Sequence, residues 1–320
     1  MKLKTKPVVW VAEPDGMANA NKQVLELHFD VIYQSVPDTE LKNVFAQCDV
    51  FLFNLAYTIQ SSDLVNEQRC KIIATPVTGL DRIDLKACSD HNIQVISLKG
   101  AADFLKDVRA TAEHTMALML CLMRSIVPAV NHVRAGHFNR NLFKGSELYQ
   151  KTLGVIGYGR LGKIVADYAI AFGMKILVYE MDETKKVHHK QIQFVNLDEL
   201  VSMADIISLH VDLNKGNEGF INKDFFSKVK DGTFLINTSR GNLIIEDDLV
   251  EALQSGKLAG AALDVVRNES SIQHNDALYQ YLEQHNNLMI TPHIGGLTTE
   301  STYKTEAYII NQIVAAFNYG

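Results

Sequence analysis

The 320-residue chain has only four cysteines, Cys48, Cys70, Cys88 and Cys121, and no CxxC pair among them. Scattered thiols in a chain of this size point to reduced core residues and argue against a disulfide frame or a thiolate zinc site. Long apolar runs are also missing. No stretch approaches the roughly 18 residues of a membrane-spanning helix. The opening MKLKTKPVVWVAEPDG passes from basic residues through a short apolar run to polar ones, too brief for a signal sequence, so a cytoplasmic protein is expected. Nor is there a basic run: 31 Lys and Arg against 37 Asp and Glu give a net charge of -6. A nucleic-acid footprint needs clustered cations, so none is expected. The chain has no GxSxG elbow of a serine hydrolase and no GxxxxGK[ST] phosphate loop. His188 and His189 sit in a polar stretch, KKVHHKQ, without a carboxylate or thiol at ligand spacing, so no metal site is expected. What remains is a small-molecule partner.

What is present is ordered. A hydrophobic content of 47% at this length suits two cores better than one. Short β-branched or aliphatic runs, PVVWVA (7–12), FDVIY (29–33), DVFLFNL (49–55), KIIAT (71–75) and IQVISL (92–97), alternate with helical stretches. Strands separated by helices imply a parallel sheet covered on both faces. A long apolar-periodic stretch, 110–133, follows and predicts one helix joining two halves, with only Pro128 to bend it. The pattern restarts at TLGVI (152–156) and repeats through KILVY (175–179), DIISLHV (205–211), TFLIN (233–237), GAALDV (260–265) and NLMIT (287–291).

The second half opens on LGVIGYGRLGK (153–163), in which Gly157, Gly159 and Gly162 form GxGxxG between an apolar strand and a helix that leads to another strand. In that context the first glycine permits a tight turn and the second lets the backbone approach a pyrophosphate. The third lets helix and strand pack closely, with the helix N-terminus facing the phosphate charge. Glu180 follows the second strand, where an acid can accept hydrogen bonds from a ribose and repel a 2′-phosphate, which favours NAD over NADP. Asp182 could share that role, and Lys185 and Lys186 keep NADP in play.

Hydride transfer to a small polar molecule needs a charge to hold it and a group to move a proton. Arg240, in FLINTSRGN, lies at the carboxyl end of an apolar strand, the edge where open α/β sheets take ligands, and its fork suits a carboxylate. His293 follows another strand in LMITPHIGG, and Glu269 lies on the loop after GAALDV, a third strand end on the same edge.

At these residues the chain resembles the D-isomer-specific 2-hydroxyacid dehydrogenases, and among them the phosphoglycerate-dehydrogenase-like members. The resemblance is carried by TGLDRIDL (78–85), ATAEHTMALML (110–120), LGVIGYGRLGK, SLHVDL (208–213), INTSRGNLI (236–244), GAALDV and ITPHIGG (290–296). It implies an α/β fold of two doubly wound parallel-sheet domains, a Rossmann domain for NAD inserted in a flavodoxin-like substrate domain. The implied boundaries are 1–98 with 295–320 for the substrate domain and 99–294 for the cofactor domain. It assigns the catalytic roles to Arg240, Glu269 and His293, the substrate-carboxylate cradle to Val77, Thr78 and Gly79 with Arg240, and the active site to the cleft between domains. The implied cofactor contacts are Gly157, Gly159, Arg160, Leu161, Gly162, Glu180, His210, Val211, Thr238, Ser239 and Asp264. His293 is then the general acid in reduction and the base in oxidation, and a carboxylate hydrogen-bonded to it favours its protonated form.

A homodimer through 110–133 and the following HVRAGHFNRNLF segment is also expected. The chain departs from the family pattern in places. The 99–114 loop is longer and carries Phe104, Lys106 and Asp107, and Lys106 and Arg109 could receive a phosphate or face water. VRNESS (266–271) replaces an acidic, proline-ended loop, Asp212 replaces a proline, and Val77 stands where a glycine is frequent. His114, in TAEHT, reads as structural. The rival reading is an NAD(H)-sensing regulatory or scaffold protein of the same fold.

Overall fold

Short strands buried on both faces are what parallel sheets under helices require, and two such sheets organise the chain. The computed structural model describes residues 6–269 and 276–318; Ser270 and Ser271 of the VRNESS segment lie outside the described residues. The chain divides into a unit of Met1–Val108 with Leu297–Gly320 and a unit of Arg109–Gly296.

The first unit carries β1 (Val8–Val11), α1 (Asn19–His28), β2 (Asp30–Tyr33), α2 (Leu41–Gln47), β3 (Val50–Leu52), β4 (Ile72–Ala74), α3 (Leu85–Asp90), β5 (Gln94–Ile96) and α4 (Ala102–Leu105). Its strands pair in parallel in the order β2-β1-β3-β4-β5, the flavodoxin-like arrangement. Side chains alternate across this sheet as the strand period of two demands. Trp10, Phe51 and Ile73 face one way, into a core with Phe45, where Phe45 and Phe51 meet edge-on at 5.3 Å. Val9, Val11, Leu52 and Ala74 face the other.

The second unit carries α5 (Ala110–Met123), α6 (Ile126–Arg134), β6 (Thr152–Ile156), α7 (Arg160–Ala171), β7 (Lys175–Tyr179), β8 (Ile192–Phe194), α8 (Leu197–Met203) and β9 (Ile206–Leu209). It continues with α9 (Lys223–Lys228), β10 (Thr233–Asn237), α10 (Glu246–Gln254), β11 (Leu258–Leu263), α11 (Ala277–Gln284) and β12 (Leu288–Ile290). The sheet order is β12-β11-β10-β9-β6-β7-β8, again parallel. The order reverses between β6 and β9, the Rossmann switch point. The chain then returns as α12 (Thr299–Asn318), whose Ile309, Ile310 and Ile313 complete the second core of the first unit.

Three features differ from the sequence reading. The segment 99–108 packs with the first unit rather than the second: Leu105 is buried among the α12 isoleucines and Phe104 stacks on Tyr308 at 4.3 Å. The expected single helix over 110–133 is two, broken at Ser125, which has a left-handed φ of 50°, and not at Pro128. The Met123 carbonyl that would continue the helix instead accepts the Ser146 N–H at 2.8 Å, and Pro128 falls in the first turn of α6, where a missing donor costs nothing. Strand β8 is too short, and set in too polar a stretch, to announce itself in the sequence. No single helix among the described residues is long and apolar enough to cross a membrane.

Phe45→Ala removes a fully buried ring from the first unit. The expected loss is about 3–5 kcal/mol, read as a lower urea midpoint for that unit; a loss under about 1 kcal/mol would mean that the core closes around the gap.

Candidate active site

The glycine turn of the second unit has three different steric demands. Gly157 has φ 95°, and a Cβ there would meet the His210 carbonyl oxygen at 2.5 Å. A Cβ on Gly162 would meet the Gly157 carbonyl at 2.1 Å, so α7 packs on the turn only without one. A Cβ on Gly159 would meet nothing within 4 Å. The turn is therefore closed against the sheet at two glycines and open at the third, the shape a pyrophosphate needs at a helix N-terminus. Arg160 is the first residue of α7, and burial lowers the pKa of its guanidinium. Leu161 packs into the core that α7 shares with α5.

Glu180 closes the far side. Its Oε2 accepts the Tyr158 N–H and its Oε1 the Asp182 N–H, both at 2.8 Å. Asp182 turns its own carboxylate to Thr184 instead, and Lys185 lies 3.6 Å from Asp182 and 3.9 Å from Glu180. At the switch point the His210 N–H donates to Ile156 and its ring Nε2 lies 2.8 Å from the Ser208 hydroxyl. Burial pushes this imidazole from 6.5 down to about 4, so it is neutral at physiological pH. The Ser239 hydroxyl donates to the Val211 carbonyl, while the Thr238 hydroxyl lies 2.8 Å from that of the fully buried Thr115 on α5.

Arg240 stands one turn further along the same edge. Asn237, fully buried at the end of β10, donates through Nδ2 to the Arg240 carbonyl and accepts the Ser239 N–H, and the guanidinium donates to the Ser239 carbonyl at 2.7 Å. A Cβ on the next residue, Gly241, would overlap the Val266 carbonyl group at 2.0–2.1 Å, so this loop lies directly against the one that carries Glu269. Glu269 in turn meets His293: Nδ1 lies 2.9 Å from Oε1 and 3.0 Å from Oε2, leaving Nε2 for a reacting group. The His293 backbone is left-handed, φ 53°, an uncommon state for a side-chain-bearing residue. Its N–H is held by the carbonyls of Asp264 and Thr291, both at 2.9 Å.

Asp264 anchors that strained turn. It is 2% exposed and accepts the N–H groups of Ile294 and Gly295 and the Thr291 hydroxyl at 2.9, 2.7 and 2.6 Å. His114 Nε2 lies 3.2 Å away. Burial alone would raise its pKa, but the bonds from His114, Thr291, Ile294 and Gly295 outweigh it and hold the carboxyl below the usual carboxylate range. Geometry thus gives Asp264, expected as a cofactor contact, the second task of fixing the histidine loop. His114 was legible only as a helix residue; three-dimensional proximity makes it a support of the site. In the first unit, Val77, Thr78 and Gly79 follow β4, with the Val77 carbonyl accepting the Leu98 N–H at 3.1 Å.

Residues 116–295 match the family described as D-isomer specific 2-hydroxyacid dehydrogenase, NAD binding domain. The chain is 34% identical over 92% of its length, and 91% of the relative's, to a hydroxypyruvate reductase of Thermotoga maritima. The chain belongs to the D-isomer-specific 2-hydroxyacid dehydrogenases. It is also 34% identical to the D-3-phosphoglycerate dehydrogenase of Bacillus subtilis, over 94% of this chain, but spans only 55% of that protein. A D-lactate dehydrogenase of Aquifex aeolicus, solved with NAD and lactic acid, superposes with a TM-score of 0.83 at 31% identity, covering 98% of this chain and 96% of that one.

NAD is the cofactor. The residues present fit it: the open Cβ direction at Gly159, the N-terminus of α7 and the Glu180 carboxylate all lie at the carboxyl edge of the second unit's sheet.

Gly159→Ala is expected to keep the melting temperature and weaken NADH binding at least about tenfold by fluorescence titration, because only the ligand meets the new methyl. Gly162→Ala is expected to lower the melting temperature as well. His210 has a second signature. Its folded pKa lies below the unfolded one, so the unfolded chain takes up the proton first and stability falls as pH drops from 6.5 toward about 4. His210→Gln is expected to flatten the urea midpoint against pH across that window.

Proposed function

We propose that the protein is an NAD-dependent oxidoreductase that interconverts a 2-oxo acid and its D-2-hydroxy acid. The observation that carries this reading is the Glu269–His293 pair at 2.9 Å on the strand edge that also bears Arg240 and the glycine turn. NAD, when bound, supplies or accepts the hydride at C2. His293, with Nδ1 fixed by Glu269, gives a proton from Nε2 to the carbonyl oxygen in reduction and takes it from the hydroxyl in oxidation. Arg240 binds the substrate carboxylate and polarises the carbonyl, so it acts on both binding and turnover. The family pattern and the relatives' names support this chemistry, and hydroxypyruvate and phosphohydroxypyruvate are the first oxo acids to try.

The proposed assembly is a homodimer. Along α6 and the segment after it, Ile126, Val127, Val130, Val133 and Leu142 are exposed apolar side chains and Phe138 is 91% exposed, the kind of apolar surface that marks an interaction site.

Steady-state NADH oxidation against glyoxylate, hydroxypyruvate, pyruvate and phosphohydroxypyruvate tests the activity. His293→Gln is expected to lower kcat by about 10²–10⁴-fold with NADH affinity intact, and Arg240→Ala to lower kcat and raise KM. Retention of most activity in His293→Gln would overturn the assignment, and NADH binding with no acid reduced would favour the sensing alternative. Light scattering on eluted protein is expected to give twice the chain mass; Phe138→Glu with Val130→Glu should halve it.

A further inference from the structure

The loop that carries Glu269 leaves β11 with little of its own to stiffen it. Residues 265–269 include no proline to fix a dihedral angle, and Arg267 and Asn268 are exposed. The Arg267 guanidinium lies 3.9 Å from Glu218, a surface pairing at the end of a long side chain that does little to fix the backbone. Yet Glu269 has to keep its carboxylate 2.9 Å from His293 Nδ1.

Two contacts hold that backbone, and both come from the segment that follows Arg240. A Cβ on Gly241 would lie 2.0 Å from the Val266 carbonyl carbon and 2.6 Å from the Arg267 nitrogen, so the two loops touch main chain to main chain. Further along the same segment, Glu246 Oε1 accepts the Arg267 N–H at 2.7 Å. Glu246 itself stands on a rigid base. The Ile221 N–H donates to the Leu243 carbonyl at 3.0 Å and the Ile245 N–H to the Ile221 carbonyl at 2.9 Å, while Ile244 and Leu249 are buried in the core. Asp248 accepts the Lys223 N–H at 2.8 Å, a second tie at the start of α10. An acid in the first turn of a helix is favoured by the dipole alone. Asp247 fits that reading, being exposed, whereas Glu246 is half-buried and reaches into another loop.

We propose that Glu246 is a positioning residue for proton transfer in the dehydrogenase reading above, on which this inference rests: by holding the Arg267 amide it keeps the nearby Glu269 in place against His293. The accepting oxygen and its reach do this, and the charge does not. A carboxamide therefore serves as well, and a shorter carboxylate does not. Since Arg240 binds the substrate carboxylate, Glu246 acts on turnover rather than on binding.

The test measures kcat, KM for the best oxo acid of the panel and NADH affinity in Glu246→Gln, Glu246→Asp and Glu246→Leu, with thermal melts alongside. Glu246→Gln is expected to stay within about twofold of the wild-type kcat. Glu246→Asp, one methylene short of the amide, and Glu246→Leu, which has no acceptor, should lower kcat by about tenfold or more and leave KM and NADH affinity within about twofold. In a Glu269→Gln background Glu246→Leu should cost little further, because residues that act as a unit are not additive. A wild-type kcat in Glu246→Leu overturns the proposal. So does the same loss in the Glu269→Gln background, which would mark a general effect on the fold. Should Glu246→Leu not fold, Glu246→Asp matching or exceeding Glu246→Gln overturns it instead; in all these cases the dehydrogenase reading stands. Wild-type protein that binds NADH and reduces none of the panel overturns both.

Discussion

Asp264 is a carboxylate almost without access to water, and such a group is tolerated only when donors surround it. The donors it gathers come from three places: the backbone of Ile294 and Gly295, the hydroxyl of Thr291, and His114 on α5. Its own backbone carbonyl holds the N–H of His293. One buried charge thereby fixes the turn after β12 in a conformation that a histidine seldom adopts, and points that residue at Glu269. A Cβ on Gly295 would come within 2.8 Å of the Asp264 carboxylate, so the glycine after His293 is part of the same packing.

Carboxylates serve as loop clamps elsewhere on the two sheet edges. Glu180 accepts hydrogen bonds from the amides of Tyr158 and Asp182, joining the glycine turn to the end of β7. Glu13 takes three from the loop after β3. Amides at strand ends attract negative charge, and a carboxylate of the chain itself can occupy them. At Gly159 the turn is left open, while at Asn54–Ala56 the amides are taken.

The apolar face of α6 follows from the break before it. Because Ser125 turns the chain and Ser146 caps the Met123 carbonyl, α6 leaves the core of the second unit that α5 fills, and none of its residues is buried. An unbroken helix would have carried the same side chains along the axis of α5.

Much was legible in the primary structure because its causes are local. Alternating apolar runs mark strands whatever their neighbours, the spacing of Gly157, Gly159 and Gly162 depends on one turn, and Arg240 and His293 each follow an apolar strand in their own segment. Two parallel α/β units and NAD as cofactor were determined at that level. What only the tertiary structure decided are relations between segments distant in the chain. Asp264 meeting His114 of α5, Glu269 meeting His293, and the amides of 54–56 meeting Glu13 each depend on segments from different elements arriving at one sheet edge, which no spacing rule encodes. The break at Ser125 is of the same kind: residues 123–125 would extend a helix by themselves, and it is the distant Gly145–Ser146 segment, packed against Met123 and Arg124, that takes up the freed carbonyl.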